Sequence, residues 1–308
     1  MNLPPTLPYR TLPQDRIGLN PERPPLSGDV QLGPVVLQIS DLDASLRFYT
    51  QVIGLQVHDT DLAGHQIARL GTPDGQVLLE LREKRGVHAA PHRGRLGLYH
   101  IAVLLPTRAD LGRFIQNALS LGVHVGQSDH HFSEATYLKD PDGLSVEVYR
   151  DRPRDEWRVT EAGEIIGGGD PLDLTALKEA AGDAPWTGVP TGTTLGHLHL
   201  YVGDLDEAAR FYHRGLGFPK TTWSLPTALF LGAGGYHHHL GLNTWAAGSP
   251  PSGDDDARLL TWDLVLPDQA TVDRTAASLQ AEGFEVTVTP QGILSTDPWG
   301  ITVRLRTA

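Results

Sequence analysis

The sequence predicts an α+β protein built from four β-α-β-β-β modules. Three observations carry that reading. A stretch of the first half recurs in the second half at a constant offset of 163 positions. Each half then begins the same strand, helix and glycine stop a second time. Finally, a Pro- or Gly-based turn precedes the closing strand of every copy. A repeated supersecondary unit of this kind decides a fold more firmly than any local propensity.

Met1 to Asp29 contains seven prolines and no apolar periodicity, so residues 1–32 read as a Pro-rich N-terminal arm, extended on the surface or without fixed structure. The first module opens with the apolar, β-branched run from Gly33 to Ile39, which reads as a strand. Asp43 can cap the helix that follows, Leu42, Leu46 and Tyr49 are spaced to share one face, and Gly54 ends it with positive φ. The recurrence runs from Gly196 through Asp206, Arg210-Phe211-Tyr212 and Gly217.

Within each half the pattern starts again. Leu98 to Pro106 is a strand, Asp110 to Leu121 a helix and Gly122 its stop; Leu260 to Pro267 begins the fourth copy, with a helix through Ala281 and a stop at Gly283. Closing turns fall at Pro73-Asp74-Gly75, Pro141-Asp142-Gly143 and Pro298-Trp299-Gly300, with Gly234-Gly235 in the third copy. The modules span roughly 33–84, 98–150, 195–245 and 259–306. They group into a first domain at 33–150, a linker at 151–194 and a second domain at 195–308. The linker carries one helix, opened at Asp170-Pro171-Leu172-Asp173 and stopped at Gly182.

Composition narrows the chemistry. Of 308 residues 40 % are apolar and 20 % charged, which is globular, and the formal charge is −12. An acidic chain with only Lys84, Lys139, Lys178 and Lys220 for lysines repels phosphate backbones, so nucleic acid is not an expected partner. No apolar run approaches the roughly 18 residues that span a bilayer, so no membrane is expected either. Met1 to Asp29 has no basic patch followed by an apolar segment, and the cytoplasm is the expected location. The absence of cysteine excludes disulfides, thiolate nucleophiles and iron–sulfur clusters. Histidine and carboxylate remain for a metal, and there are 14 histidines.

Four β-α-β-β-β units with these start and stop signals resemble the vicinal oxygen chelate superfamily, which includes glyoxalase I, bleomycin-resistance proteins and the type I extradiol dioxygenases. Four stretches resemble two-domain bacterial catechol 2,3-dioxygenases more narrowly. They are Gly97-Leu98-Tyr99-His100-Ile101-Ala102, Ser128-Asp129-His130 with Ser133-Glu134-Ala135-Thr136-Tyr137-Leu138, Tyr149-Arg150-Asp151-Arg152-Pro153-Arg154, and Gly234-Gly235-Tyr236-His237-His238-His239. The resemblance implies two incomplete mixed-sheet barrels, each made by two modules, with a metal held inside.

In that family the ligands come from the first strand of a module and from its last strand, four residues after the turn glycine. The first-strand positions are Pro34, His100, His197 and Thr261. The last-strand positions are Leu79, Glu147 and Arg304, with His237-His238-His239 on that strand in the third module. Modules one and four thus lack ligands, and Glu80, one residue past the counted position, should point away as an ion-paired or surface carboxylate. The resemblance therefore implies one metal per chain, held by His100, Glu147 and His197, with module two pairing with module three across the linker. His199, two residues along the same strand face, is the alternative to His197.

Two imidazoles and a carboxylate form the facial triad of non-haem iron, so the implied cofactor is Fe(II), with Mn(II) as the alternative and O₂ as co-substrate. The same resemblance places an acid–base histidine at His238, with strand alternation sending His237 and His239 to the other face. It also places a substrate-binding tyrosine at Tyr137 and a second histidine at His130, with His131 beside it. The implied activity is extradiol cleavage of a small catechol-type aromatic diol. The competing readings are a metal-dependent lyase or isomerase of the glyoxalase type and a metal-free binding protein of the bleomycin-resistance kind. Asp151, Arg152, Arg154 and Glu156 read as a solvated charge run, and His58, His65, His88 and His92 are assigned nothing. Trp223, Trp245, Trp262 and Trp299 are as compatible with core as with a pocket, and the oligomeric state is open, a homo-oligomer included.

Overall fold

The computed structural model describes residues 12–61 and 66–308, which leaves the first eleven residues of the arm and His65 outside the description. Module one consists of β1 (Gln31–Ile39), α1 (Leu42–Arg47), β2 (Gln56–Asp61), β3 (Ile67–Gly71) and β4 (Val77–Glu83). Module two consists of β5 (Gly97–Leu104), α2 (Arg108–Ser120), β6 (Gly126–Asp129), β7 (Ser133–Lys139) and β8 (Ser145–Asp151). The linker forms a small hairpin, β9 (Arg158–Val159) and β10 (Ile165–Ile166), and then α3 (Leu174–Ala181). Module three follows with β11 (Thr194–Tyr201), α4 (Leu205–Ala209), β12 (Lys220–Thr222), β13 (Ala228–Leu231) and β14 (Leu240–Asn243). Module four closes the chain with β15 (Arg258–Leu266), α5 (Gln269–Ala281), β16 (Thr287–Thr289), β17 (Gly292–Thr296) and β18 (Thr302–Thr307).

Two eight-stranded mixed sheets result. One has the order β12-β13-β14-β11-β5-β8-β7-β6 and the other β16-β17-β18-β15-β1-β4-β3-β2. Modules two and three therefore share one incomplete barrel, joined along the antiparallel seam of β5 and β11, and modules one and four share the other. The halves 33–150 and 195–308 interlock, each contributing one module to each barrel.

The helix starts differ from the sequence expectation in detail. The caps are Asp41 and Asp204, not Asp43 and Asp206: each accepts a 2.8 Å hydrogen bond from the backbone N–H three residues on, Ala44 and Glu207. A cap must keep extended φ and ψ, as Asp41 does at φ −144°, whereas Asp43 already lies inside the first turn. Both helices then widen into a π-turn, Phe48–Ile53 and Arg210–Gly215.

The tyrosine of each wide turn ties one barrel to the other. The Tyr49 hydroxyl donates to Asp140 at 3.1 Å, and the Tyr212 hydroxyl to Asp297 at 2.7 Å. Burial, reinforced by the neighbouring Asp142, pushes the Asp140 carboxyl up to about 7; burial brings Asp297 to about 6. A folded-state value above the unfolded one of about 3.9 means that the native state holds the extra proton. The contribution of Asp140 to stability is thus full below about pH 4 and is lost as pH rises through about 7. Asp140→Asn keeps an oxygen for the N–H groups of Asp142 and Leu144 and cannot ionise. Denaturant unfolding should show the parent losing about 2–3 kcal/mol between pH 5 and pH 8 that the variant retains. Parallel pH profiles for the two proteins would refute this account.

The described part of the arm, residues 12–30, lies along module three. Leu19 bridges to Lys220, Leu26 is buried, and its N–H donates to the Gly217 carbonyl at 2.9 Å.

Candidate metal centre

Strand register brings the site together. One row of neighbours across β11, β5 and β8 reads His197, Ala102, Glu147, and the next row, across β14, β11 and β5, reads Gly241, His199, His100. Ala102 is small and fully buried, so the side chains of His197 and Glu147 meet above it while His100 leans in from the adjacent row. The His100 Nε2 and Glu147 Oε2 atoms lie 2.9 Å apart, His197 Nε2 and Glu147 Oε2 3.1 Å, and the two Nε2 atoms 3.3 Å. All three residues are buried, and among the described residues they form the one cluster with metal-ligand donors this close. Gly196, next to His197, has no room for a side chain: a Cβ there would fall 1.7 Å from the Tyr149 hydroxyl.

This donor set fits a divalent ion. Three donors about 2.1 Å from a common centre and at right angles to one another stand about 3.0 Å apart, and the observed spacings bracket that value. The Nδ1 atoms of His100 and His197 are buried without a hydrogen-bond partner among the described residues. Ring packing sets their planes instead, Tyr99 lying 4.7 Å from His100 and Tyr149 4.9 Å from His197 between centroids. Burial opposes ionisation of Glu147, but the electrostatic pull and hydrogen bonds of His197 and His100 outweigh it and hold the carboxyl well below the usual range. Burial, against the pull of Glu147, takes His197 down to about 4, so its imidazole is neutral at pH 7, as a ligand must be.

Pseudo-twofold symmetry across the β5–β11 seam exchanges His100 with His197, Ala102 with His199, and Glu147 with Gly241. The third module's counterpart of Glu147 is therefore glycine, and the expectation that its histidine triplet occupies that strand position is corrected. A Cβ on Gly241 would stand 2.8 Å from the His199 ring, which fills the space. The amide of Asn243 donates to His199 Nε2 at 2.9 Å, so His199 faces the cavity with that nitrogen engaged and lies outside the donor cluster. In the other barrel the register also shifts the count by one: Val36 pairs with Glu80, not with Leu79. Glu80 thus occupies the position equivalent to Glu147, where Arg69 and Arg82 hold it in ion pairs, while Asp263 pairs with Arg304 and Arg306. Among the described residues no imidazole joins either carboxylate in a donor cluster.

The cavity beside the three donors measures about 230 Å³. Tyr99, Phe132, Phe230 and Trp245 form apolar walls, and His130, Tyr137, His199 and His238 supply polar groups. His130 Nε2 and the Tyr137 hydroxyl are 2.6 Å apart, and His130 Nδ1 lies 2.8 Å from the Gly168 carbonyl of the linker. A carbonyl can only accept, so His130 carries its proton on Nδ1 and accepts from Tyr137 through Nε2. His131 turns outward at φ 70° to Asp170, 2.7 Å away. Burial and the charge of Glu147 raise the Tyr137 phenol well above its ordinary value.

The triplet His237-His238-His239 precedes β14 instead of lying on it, so strand alternation does not sort its side chains. His238 faces the cavity, its ring 4.3 Å from that of His197. Burial, with His197 and His237 adding to it, pushes its pKa well below the ordinary range. His237 reaches Asp151, and His239 lines a separate cavity of about 600 Å³ beside the arm, which contains no such donor cluster. Asp151 is therefore not part of a solvated run, although Arg152 does pair with Asp129. Of the tryptophans, Trp262 and Trp299 are core and Trp245 is a cavity wall.

Comparison with known proteins agrees with this fold. Residues 31–148 and 194–305 match the family model of the Glyoxalase/Bleomycin resistance protein/Dioxygenase superfamily. The chain is 40 % identical over 273 residues to a catechol-2,3-dioxygenase of Bacillus subtilis, covering 88 % of this chain and 94 % of that protein. It is 24 % identical over 192 residues to the lactoylglutathione lyase GLX1 of Arabidopsis thaliana, covering 59 % and 53 %. Among solved structures, a putative dioxygenase from Bacillus subtilis superimposes with a TM-score of 0.61 at 12 % identity over 91 % of this chain and 85 % of that one. Glyoxalase I from Zea mays gives 0.55 at 17 % over 90 % and 92 %, which is likeness of fold. With four modules in two interlocked barrels and both halves matched, this chain belongs to the Glyoxalase/Bleomycin resistance protein/Dioxygenase superfamily.

Proposed function

We propose that this chain is an Fe(II)-dependent extradiol dioxygenase that opens a one-ring catechol next to its diol, with Mn(II) as the alternative metal. The observation that carries the proposal is a site with three donors and, among the described residues, no fourth: His100, Glu147 and His197 converge while the symmetry-related position is Gly241. A fourth protein ligand would favour the lyase reading; its absence leaves a facial triad. Similarity to a catechol-2,3-dioxygenase supports the same choice.

When bound, ferrous iron in such a triad offers open positions for both oxygens of a catechol and for O₂. The cavity suits a small aromatic diol, since about 150 Å³ takes up benzene and about 230 Å³ is present here. Tyr99, Phe132, Phe230 and Trp245 exclude water and clasp the ring. Tyr137, whose hydroxyl proton goes to His130, accepts a hydrogen bond from one substrate hydroxyl through its oxygen. His238, neutral and facing the cavity, accepts the proton of one catechol hydroxyl and returns it when the ring opens.

The test is anaerobic loading with Fe(II), metal analysis, then O₂ uptake across a panel of catechols. One iron per chain and uptake equal to catechol consumed are expected, whereas two tightly bound irons or isomerisation of a glutathione hemithioacetal without O₂ uptake would overturn the proposal. Thr261→Val, in the other barrel, should leave the metal content unchanged.

A further inference from the structure

We infer that Asp151 and His237 form a proton relay behind His238, fixing which of its nitrogens is bare and holding the proton that it takes up; this rests on the function proposed above. The geometry is a buried chain. His237 Nε2 lies 2.7 Å from Asp151 Oδ1, and His237 Nδ1 lies 2.8 Å from His238 Nδ1. The His237 side chain is fully buried and stacks on Phe132 at 4.5 Å and 20°, which fixes the orientation of the ring. The Tyr236 hydroxyl, itself 2.8 Å from that of Tyr149, donates a second hydrogen bond to Asp151 at 3.3 Å.

The chemistry of the groups sets the direction of the chain. A carboxylate accepts only, so His237 Nε2 carries the proton. In a neutral His237 the Nδ1 lone pair then accepts, and the donor must be the Nδ1–H of His238. That assignment leaves Nε2 of His238 bare for the cavity, the state that a base requires. Without the carboxylate nothing favours this tautomer over the reverse, in which His238 shows an N–H to the substrate.

The same contacts give the proton a place to rest. As a catechol hydroxyl proton bonds to Nε2 of His238, the Nδ1 proton of His238 passes to Nδ1 of His237. His238 ends neutral, and the positive charge sits on His237 against Asp151. The reverse transfer gives the proton back to the product, so protons and charge balance with no other reactant. A charge left on His238 would have no carboxylate in hydrogen-bond contact among the described residues; moved one residue outward, it has one at 2.7 Å. Asp151 and His237 are thus positioning residues that act through His238.

Two measurements test the relay. Nitrogen-15 NMR of the full chain with labelled histidine should show His238 protonated on Nδ1 and His237 on Nε2, with Asp151→Ala shifting His238 toward the Nε2–H form. A proton on Nε2 of His238 in the parent would overturn the inference, whether or not the chain cleaves catechols. In the iron-loaded enzyme, Asp151→Ala should lower kcat by about 10–100-fold with iron content and KM within twofold, and Asp151→Glu should recover much of the loss. An unchanged kcat in Asp151→Ala would refute the relay and leave the proposed function standing. If no catechol is cleaved at all, the function falls and the NMR result alone decides the relay.

Discussion

Glu147→Ala is expected to lose bound iron and ring cleavage together. Among the described residues Glu147 is the one carboxylate in the donor cluster with His100 and His197, and the symmetry-related Gly241 offers no replacement. Two imidazoles alone make a poor site for a hard divalent ion, because the carboxylate supplies the anionic oxygen that such ions favour. Loss of a partner outside the coordination sphere already costs 10–100-fold in affinity, roughly, so loss of a ligand should take iron below detection at micromolar protein. The fold should survive, since the substitution removes a buried charge and leaves imidazoles that need no counter-charge when neutral. Retention of one iron per chain by Glu147→Ala, measured after desalting, would show that the triad is not the metal site.

His238→Gln should behave in the opposite way. The His238 ring is close to His197 but contributes no atom to the donor cluster, so the variant should keep its iron and bind catechol anaerobically. Turnover should fall by about 10²–10⁴-fold, the usual contribution of a positioned acid–base group. Iron content and single-turnover kinetics on the same sample separate the two outcomes. A variant that loses iron would make His238 a ligand, and one that keeps full activity would move the proton-transfer role to His130 or another group of the cavity wall.

The two predictions differ because the residues were brought to the cavity by different means. His100, Glu147 and His197 sit on regular strands, where side chains alternate with period two and a turn glycine marks the start of the last strand. Their convergence, and with it the pairing of modules two and three, is therefore legible in the sequence once the repeats are aligned. His238 lies in a bend ahead of β14. Its neighbours His237 and His239 do not alternate with it as strand residues would, and no period in the sequence describes where each one points.

Counting from turns also has a limit of one residue. A shift of one in register moves a side chain to the other face of a sheet. The Pro-Asp-Gly turns before β4 and β8 are alike, but a register shift between β3 and β4 inserts one residue, and an irregular segment separates the third module's turn from β14. The count therefore lands on Leu79 and on the histidine triplet, whereas pairing selects Glu80 and Gly241. The symmetry argument against a fourth ligand is consequently a product of strand pairing.

The features legible in the chain are local and repetitive: four modules, their helix stops and turns, and three candidate ligands at equivalent strand positions. Periodicity, capping and positive-φ glycines act over a few residues, so a reading of neighbours along the chain recovers them. Folding in three dimensions was needed to show which groups meet across many positions or across the linker. The Gly168 carbonyl sets the proton on His130 from 38 residues away, and Asp151 meets His237 from 86. Phe132 and Phe230, from different halves of the chain, line one cavity. Those contacts depend on how two sheets curl against each other and on where an irregular linker lies. Burial and side-chain direction settle such matters, and neither carries a period that a sequence displays.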